Sequence, residues 1–294
     1  METLHNAKCR TLHYGPWCIE PNWFLAAVES YRAGTVVVAE ESVTGDVSPL
    51  YVKTDDGLAF VDVDGPMVKG GSKFGGTVNT MRLRRAVRAM AQDKDVLGAM
   101  MTMDTPGGTV AGTKDLADDM LVLGAEKPLF VHATDMLASA GMWIASSASR
   151  ISATQQTEIG SIGTMAVIVD SSGQAAAEGL KVHVLSTGSH KGLLEDGVPV
   201  TDEALAYFQQ RVDEQNDFFL RAVADGRKMR IDQVRKLADG KVMLATAAKD
   251  AGLIDAVEAY DVAVDKLRST VGKAKGRRKS GGTYASELAF EELR

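Results

Sequence analysis

Val96-Leu97-Gly98-Ala99-Met100-Met101-Thr102-Met103 runs straight into Asp104-Thr105-Pro106-Gly107-Gly108. The stretch from Val96 to Met103 is nearly continuous apolar sequence, with no polar alternation. That pattern suits a strand covered on both faces, as in a parallel sheet with helices on each side. The Pro-Gly-Gly turn that ends it lets the backbone approach a ligand closely, because glycine carries no Cβ. A Gly107 or Gly108 N–H at a strand's C-terminal end is a candidate donor to a developing oxyanion; a plain strand-to-helix turn is the ordinary alternative.

Outward from this stretch, strands and helices alternate. Leu58-Ala59-Phe60-Val61-Asp62-Val63 reads as a strand ended by Asp64-Gly65-Pro66, with a glycine-rich loop at Gly70-Gly71 and Gly75-Gly76. Thr80 to Gln92 reads as a helix with Leu83, Val87 and Met90 on one face. A second helix spans 110–124, and Leu129-Phe130-Val131 is a short strand. A small-residue helix runs from Ser139 to about Ala148, followed by strands at Arg150–Ala153, Met165–Val169 and Lys181–Leu185, with a short helix at Gln174–Gly179 between the last two. Thr201 starts the longest helix, with Leu205, Phe208, Val212, Phe219 and Ala222 as its apolar stripe. Gly252-Leu253-Ile254-Asp255 closes the core. The alternation predicts an α/β layered domain with a largely parallel sheet.

The core is expected over 56–265. Residues 1–55 read as an irregular extension with one helix, started by Pro21 and Asn22 and carrying Trp23, Phe24, Ala27, Val28 and Tyr31, and with a possible strand at Val36-Val37-Val38. Residues 266–294 read as a basic flexible linker ending in a short amphipathic tail.

The 294 residues are 45% hydrophobic and 24% charged, ordinary for a globular protein, and the net charge of −6 gives no case for specific nucleic-acid binding. Cys9 and Cys18 are the only cysteines, too few for a zinc site without a histidine constellation; reduced thiols are expected in a cytoplasmic setting, with a Cys9–Cys18 disulfide as the alternative. No metal or organic cofactor is expected. No signal-peptide core stands in the first 30 residues, and no run of about 20 apolar residues marks a membrane anchor.

Ser139, in Leu137-Ala138-Ser139-Ala140-Gly141, sits where a strand gives way to small residues that can start a helix. That setting suits an acyl-transfer nucleophile, and equally an N-cap. A serine needs a base. Of the five histidines, His5, His13, His132, His183 and His190, none stands where a Ser-His pair needs it. Lys191, in Gly188-Ser189-His190-Lys191-Gly192, is the better base, although a loop lysine is ordinarily solvated. A lysine amine must fall from about 10.4 to about 7 to act as a base, roughly 4–5 kcal/mol, which requires burial. Ser161, in Gly160-Ser161-Ile162-Gly163, is the candidate to orient it, as Asp orients His in a triad.

Pro106-Gly107-Gly108, Ala138-Ser139-Ala140-Gly141, Gly160-Ser161-Ile162-Gly163 and His190-Lys191, in this order and spacing, resemble the signal-peptide-peptidase-A family of serine peptidases. The similarity runs from about Leu58 to Asp255. It implies a Clp/crotonase-type spiral of repeated ββα units, with Ser139 as nucleophile and Lys191 as general base. It also implies an oxyanion hole of Gly107 and Ala140 N–H groups, with Ser161 assisting the lysine. A ring-like homo-oligomer whose neighbouring subunits help complete each site follows from the same resemblance. The chain departs from the family where Ala140-Gly141-Met142-Trp143 replaces the usual Gly-Gly-Tyr. A Clp-type triad is disfavoured, since position 164 is Thr. Pro16-Trp17-Cys18-Ile19-Glu20-Pro21 looks like the leader of phage-encoded relatives that process scaffold or capsid proteins in head assembly, which implies action in the host cytoplasm or the prohead. On that likeness the tail is a docking element for portal or scaffold. The rival expectations are a cellular quality-control peptidase of the family, a crotonase-type acyl-CoA enzyme, and a structural head component with a dead site.

Overall fold

The computed structural model describes residues 16–32, 49–70 and 76–280. The long apolar stretch forms strand β6 (Gly98–Thr105), flanked in parallel by β3 (Leu58–Asp64) and β8 (Leu129–Ala138). Met100, Met101 and Met103 are fully buried, as a strand covered on both faces requires. The main sheet has the order β11-β10-β8-β6-β3-β2, where β2 is Val52–Lys53, β10 is Glu158–Gly160 and β11 is Val242–Leu244. Its interior pairings are parallel, and only the edge strands β2 and β11 run antiparallel to their neighbours. The lower half of β8 also pairs with β9 (Arg150–Ala153), which in turn pairs with β12 (Ala256–Val257).

A smaller sheet lies across the end of β6. Its order is β1-β7-β4-β5, from β1 (Trp17–Ile19), β7 (Gly107–Thr109), β4 (Met67–Val68) and β5 (Val78–Asn79). Helices α2 (Thr80–Gln92) and α3 (Thr113–Glu126) pack on the main sheet and on each other. Asn79 caps α2, its side chain accepting from the Met81 and Arg82 N–H groups. Arg84 ties the pair together by pairing with Asp119 at 2.7 Å and Asp115 at 3.0 Å. The α/β architecture with a largely parallel sheet and helices packed on it agrees with the fold expected of a Clp/crotonase-like chain.

Several elements differ from expectation. The strand at Leu129–Val131 continues to Ala138, because Met136–Ala138 find a second parallel partner in β10 after leaving β9. The helix after Ser139 is short, α4 (Ala140–Ala145). Between 163 and 200 the strands read at Met165–Val169 and Lys181–Leu185 do not form; one bridge, Trp17 to Met165, is the pairing there. Val169 and Leu185 are 61% and 97% exposed, so no second layer among the described residues covers them. Residues 172–177 form the short helix α5 (Ser172–Ala177). The long helix α6 (Asp202–Gly226) buries Phe219, Leu220 and Val223, whereas Leu205 of the expected stripe is exposed, so its N-terminal half stands clear of the core.

Residues 266–280, read as linker, belong to helix α9 (Tyr260–Ser280). The reason is packing: Ala263, Leu267 and Val271 bury against Leu58, Met100 and Phe130 on the outer face of the sheet. The expected strand at Val36–Val38, the loop glycines Gly71 and Gly75 and the tail beyond 280 lie outside the described residues. Helix α1 (Pro21–Arg32) starts where Pro21 and Asn22 predict.

Asp255 locks the closing segment to β9. Its Oδ2 accepts the Ile151 N–H at 2.7 Å, and its Oδ1 pairs with Arg227 Nη2 at 2.7 Å. Burial pushes the Asp255 carboxyl up, but the Arg227 and Ile151 hydrogen bonds outweigh it and hold the group below the ordinary range. The stability it contributes is therefore present above the unfolded value of about 3.9 and is lost as pH falls through the lower folded value. Asp255→Asn should unfold about 1–3 kcal/mol more easily at pH 7. In urea titrations the gap from wild type should close as pH drops below about 4.

Candidate active site

Ser139 stands at the corner between β8 and α4, with φ 53° and ψ −117°. This is the backbone of the first central residue of a type II′ turn, a place that favours glycine. A serine is held there by its surroundings. Its N–H donates to the Gly160 carbonyl at 2.8 Å, and its own carbonyl accepts from Trp143 N–H at 2.9 Å, which closes the first turn of α4. The corner lifts Oγ off the sheet and leaves the Ala140 N–H without an intrahelical acceptor. Ser139 is fully buried, and its Oγ has no hydrogen-bond partner among the described residues.

Glycines let three backbones converge on this corner. Gly107 has φ 100°, and a Cβ there would lie 2.2 Å from the Cys18 carbonyl oxygen, 2.8 Å from Ser139 Cβ and 2.9 Å from Ala140 N. The three groups therefore surround a single point that only glycine leaves open. A Cβ on Gly108 would meet the Met67 backbone, and one on Gly141 would meet Thr105 Cγ2. The Gly107 N–H donates to Thr105 Oγ1 at 3.2 Å. The edge of β7 that faces β1 belongs instead to Pro106, Gly108 and Val110. Glu20 N–H donates to the Pro106 carbonyl at 2.7 Å, and Val110 N–H donates to the Pro16 carbonyl at 3.3 Å. By antiparallel alternation, Cys18 and Gly108 form the intervening pair that exchanges both bonds.

Ser161 is buried, with φ 48°, and its N–H donates to the Lys241 carbonyl at 2.7 Å. It follows Gly160, the residue that accepts the nucleophile's own N–H. Ser139, Gly107, Gly108, Ala140 and Ser161 are thus drawn together. Lys191 is not. It is exposed, in a turn where its N–H donates to the Gly188 carbonyl. The adjacent His190 leans on Tyr207 of α6, ring centroids 4.8 Å apart. His132 is buried, as expected of a packing residue, with Nδ1 2.9 Å from Ser152 Oγ. Burial pushes its imidazole below the usual value.

Sequence reasoning overlooked Thr105 and Thr164. Thr105 braces both Gly107 and Gly141, and Thr164 Oγ1 lies 3.2 Å from Cys18 Sγ. Thr105 has a legible signal in its place between an apolar strand and Pro-Gly-Gly; Thr164 has none, since its partner is distant in the chain. Burial pushes the Cys18 thiol up to about 12.

Residues 122–273 match the model of peptidase family S49. The chain is 30% identical to head-tail preconnector protein GP5 of Enterobacteria phage P21, an alignment covering 94% of this chain and 60% of that protein. It is 31% identical to capsid assembly protease C of Escherichia phage lambda, over 79% of this chain and 53% of that protein. It is 27% identical to a putative signal peptide peptidase SppA of Enterococcus faecium, over 62% of this chain and 53% of that protein. The chain thus spans between half and three-fifths of the length of these relatives.

The strain at position 139 is measurable. With the hydroxyl removed in both, Ser139→Gly should be more stable than Ser139→Ala by about 1–2 kcal/mol, since alanine keeps the penalty of positive φ. Chemical denaturation of the two variants reads this directly; alanine equal to or above glycine would show a relaxed corner.

Proposed function

The chain belongs to peptidase family S49, and from that premise we propose that it is a serine endopeptidase with a Ser139–Lys191 dyad. The observation that carries this reading is the strained Ser139 corner beside an unpaired Ala140 N–H and the glycine strand β7. The neutral Lys191 amine takes the Ser139 proton as Oγ bonds to the scissile carbonyl carbon. The Ala140 N–H and a β7 N–H hold the oxyanion. Gly107 N–H already serves Thr105, so Gly108 N–H, facing the β1 edge, takes the role expected of Gly107. Lys191 then protonates the leaving amine and activates the water that releases the acyl group. Ser161 positions the lysine. Substrate lies extended along the edge of β7 that β1 covers in this structure, so unfolded or flexible segments are favoured.

Lys191 is exposed here, and a lysine serves as general base where burial disfavours its ammonium form, so the proposed role needs the residue enclosed. The segment 163–200 and the start of α6 expose Val169, Leu180, Leu185 and Leu205. Exposed apolar side chains in a segment with so little regular structure are what a neighbouring copy would cover. A ring-like homo-oligomer supplies it, with the segment folding onto a neighbouring copy and carrying Lys191 into an enclosed site. The names of the phage relatives, a capsid assembly protease among them, support scaffold or capsid proteins as substrates; on this proposal the tail docks to portal or scaffold and the work is done in the host cytoplasm or prohead. No helix among the described residues is long and apolar enough to cross a membrane.

Ser139→Ala and Lys191→Ala should each lower cleavage of an unfolded protein by at least about 10³-fold. Full activity in either variant sinks the dyad. Mixing the two variants tests the sharing of sites: recovered activity places serine and lysine on different subunits, and none places them on one. Modification of Ser139 by a serine-reactive probe excludes a dead structural component.

A further inference from the structure

The segment that covers the nucleophile is the chain's own. Strand β1 lies between two partners. On one side it pairs antiparallel with β7, Trp17 with Thr109, Cys18 with Gly108 and Ile19 with Gly107. On the other, Trp17 exchanges both backbone bonds with Met165, at 2.7 and 2.8 Å. Both edges are thereby satisfied, as for a peptide bound by strand addition. The Cys18 carbonyl oxygen faces the point shared by Ser139 Cβ and Ala140 N. Its side chain is fully buried, with Sγ on Thr164, so the residue at the nucleophile also fills a side-chain pocket.

We propose that residues 16–20 are a built-in substrate mimic: they occupy the groove of this peptidase in the register of a cleavable peptide, with Cys18 at the acyl position, and exclude other chains until they leave. The inference rests on the groove assigned above to β7. Three observations support it. Ser139 is fully buried, a state in which no foreign carbonyl can reach it. The occupant's carbonyl oxygen crowds the same point beside Gly107 as Ser139 Cβ and Ala140 N, a closeness to the serine that ordinary edge protection does not require. The segment is also held in a way that permits release. Ile19, Phe24 and Val28 pack with Trp17, Met165 and Val167 in a satellite cluster apart from the main core, and of this segment Cys18 reaches that core. The strand is anchored on its C-terminal side by Glu20, whose Oε2 accepts the Trp23 N–H at 2.7 Å and starts α1. Withdrawal of β1 breaks one short strand pairing and the Met165 bridge, and leaves the parallel sheet intact.

The Cys18 thiol reports the position of the strand. Buried and with its ionisation suppressed, it reacts slowly with iodoacetamide while β1 is docked. The test uses the full chain carrying Ser139→Ala, so that no chemistry intervenes, and an added acetyl-Pro-Trp-Ala-Ile-Glu-amide peptide that copies residues 16–20 without the thiol. Saturating peptide should speed Cys18 alkylation at least tenfold, read by peptide mapping so that Cys9 is scored separately. A Cys18 rate that stays flat at every peptide concentration overturns the proposal. In the otherwise wild-type chain, Trp17→Ala should raise both Cys18 alkylation and cleavage of an added unfolded protein several-fold. Faster alkylation without faster cleavage in an active enzyme also overturns it. Should every form lack peptidase activity while the peptide still exposes Cys18, the groove occupancy stands and the serine-peptidase reading fails.

Discussion

The hydrogen bond from Ser139 N–H to the Gly160 carbonyl holds the structure's most demanding residue in place. A serine at φ 53° and ψ −117° carries a penalty of about 1–3 kcal/mol, which persists only where neighbours over-determine the backbone. Here the bond links the end of β8 to the end of β10, and the same β10 residue hands the chain on to Ser161. Because β8 changes partner from β9 to β10 midway along its length, its last residues are delivered to this corner rather than to the middle of the sheet. The positions of Ser139, Ser161 and the start of α4 all follow from that one change of partner.

The short helix behind the corner is held from outside, since six residues form no stable helix alone. Trp143 stacks on Phe219 with ring centroids 5.0 Å apart and planes 9° from parallel. Gly226, at the end of α6, lies so close that a Cβ would strike the Ser146 carbonyl. Gly141 approaches Thr105 on the other side. The replacement of Gly-Gly-Tyr by Ala140-Gly141-Met142-Trp143 is consistent with this packing: the second small position is the one where no side chain fits, and the bulky position supplies the stacking surface.

Two parts of the chain are folded as though awaiting something else. The N-terminal strand fills the groove that a substrate would use, and the 163–200 segment holds Lys191 in solvent beside uncovered apolar side chains. The same residue, Met165, starts the second and clasps the first through Trp17. Release of the strand and ordering of the lysine segment therefore share a contact, so an event that moves one bears on the other.

Much of the architecture was legible from residue patterns because it rests on local physics. The apolar run Val96–Met103, the 3.6-residue periodicity of Leu83, Val87 and Met90, and the Pro-Gly-Gly turn each report a neighbourhood that nearest neighbours impose. The linker read at 266–280 failed for the converse reason: its charge pattern hides Leu267 and Val271, whose burial depends on a sheet face more than 100 residues away in the chain. The 163–200 strands failed because alternation predicts a strand only where a partner edge exists. That Ser139, Gly107, Ala140 and Ser161 come together could be anticipated from residue type and order, since small residues at strand ends allow backbones to converge. Only the tertiary structure decided that Gly107 N–H turns to Thr105, that Lys191 is exposed while Ser139 is buried, and that β1 pairs with β7 beside Ser139. Those depend on which backbones meet across long sequence separations, where hydrogen-bond direction and the room left by a missing Cβ carry the information and no local pattern records it.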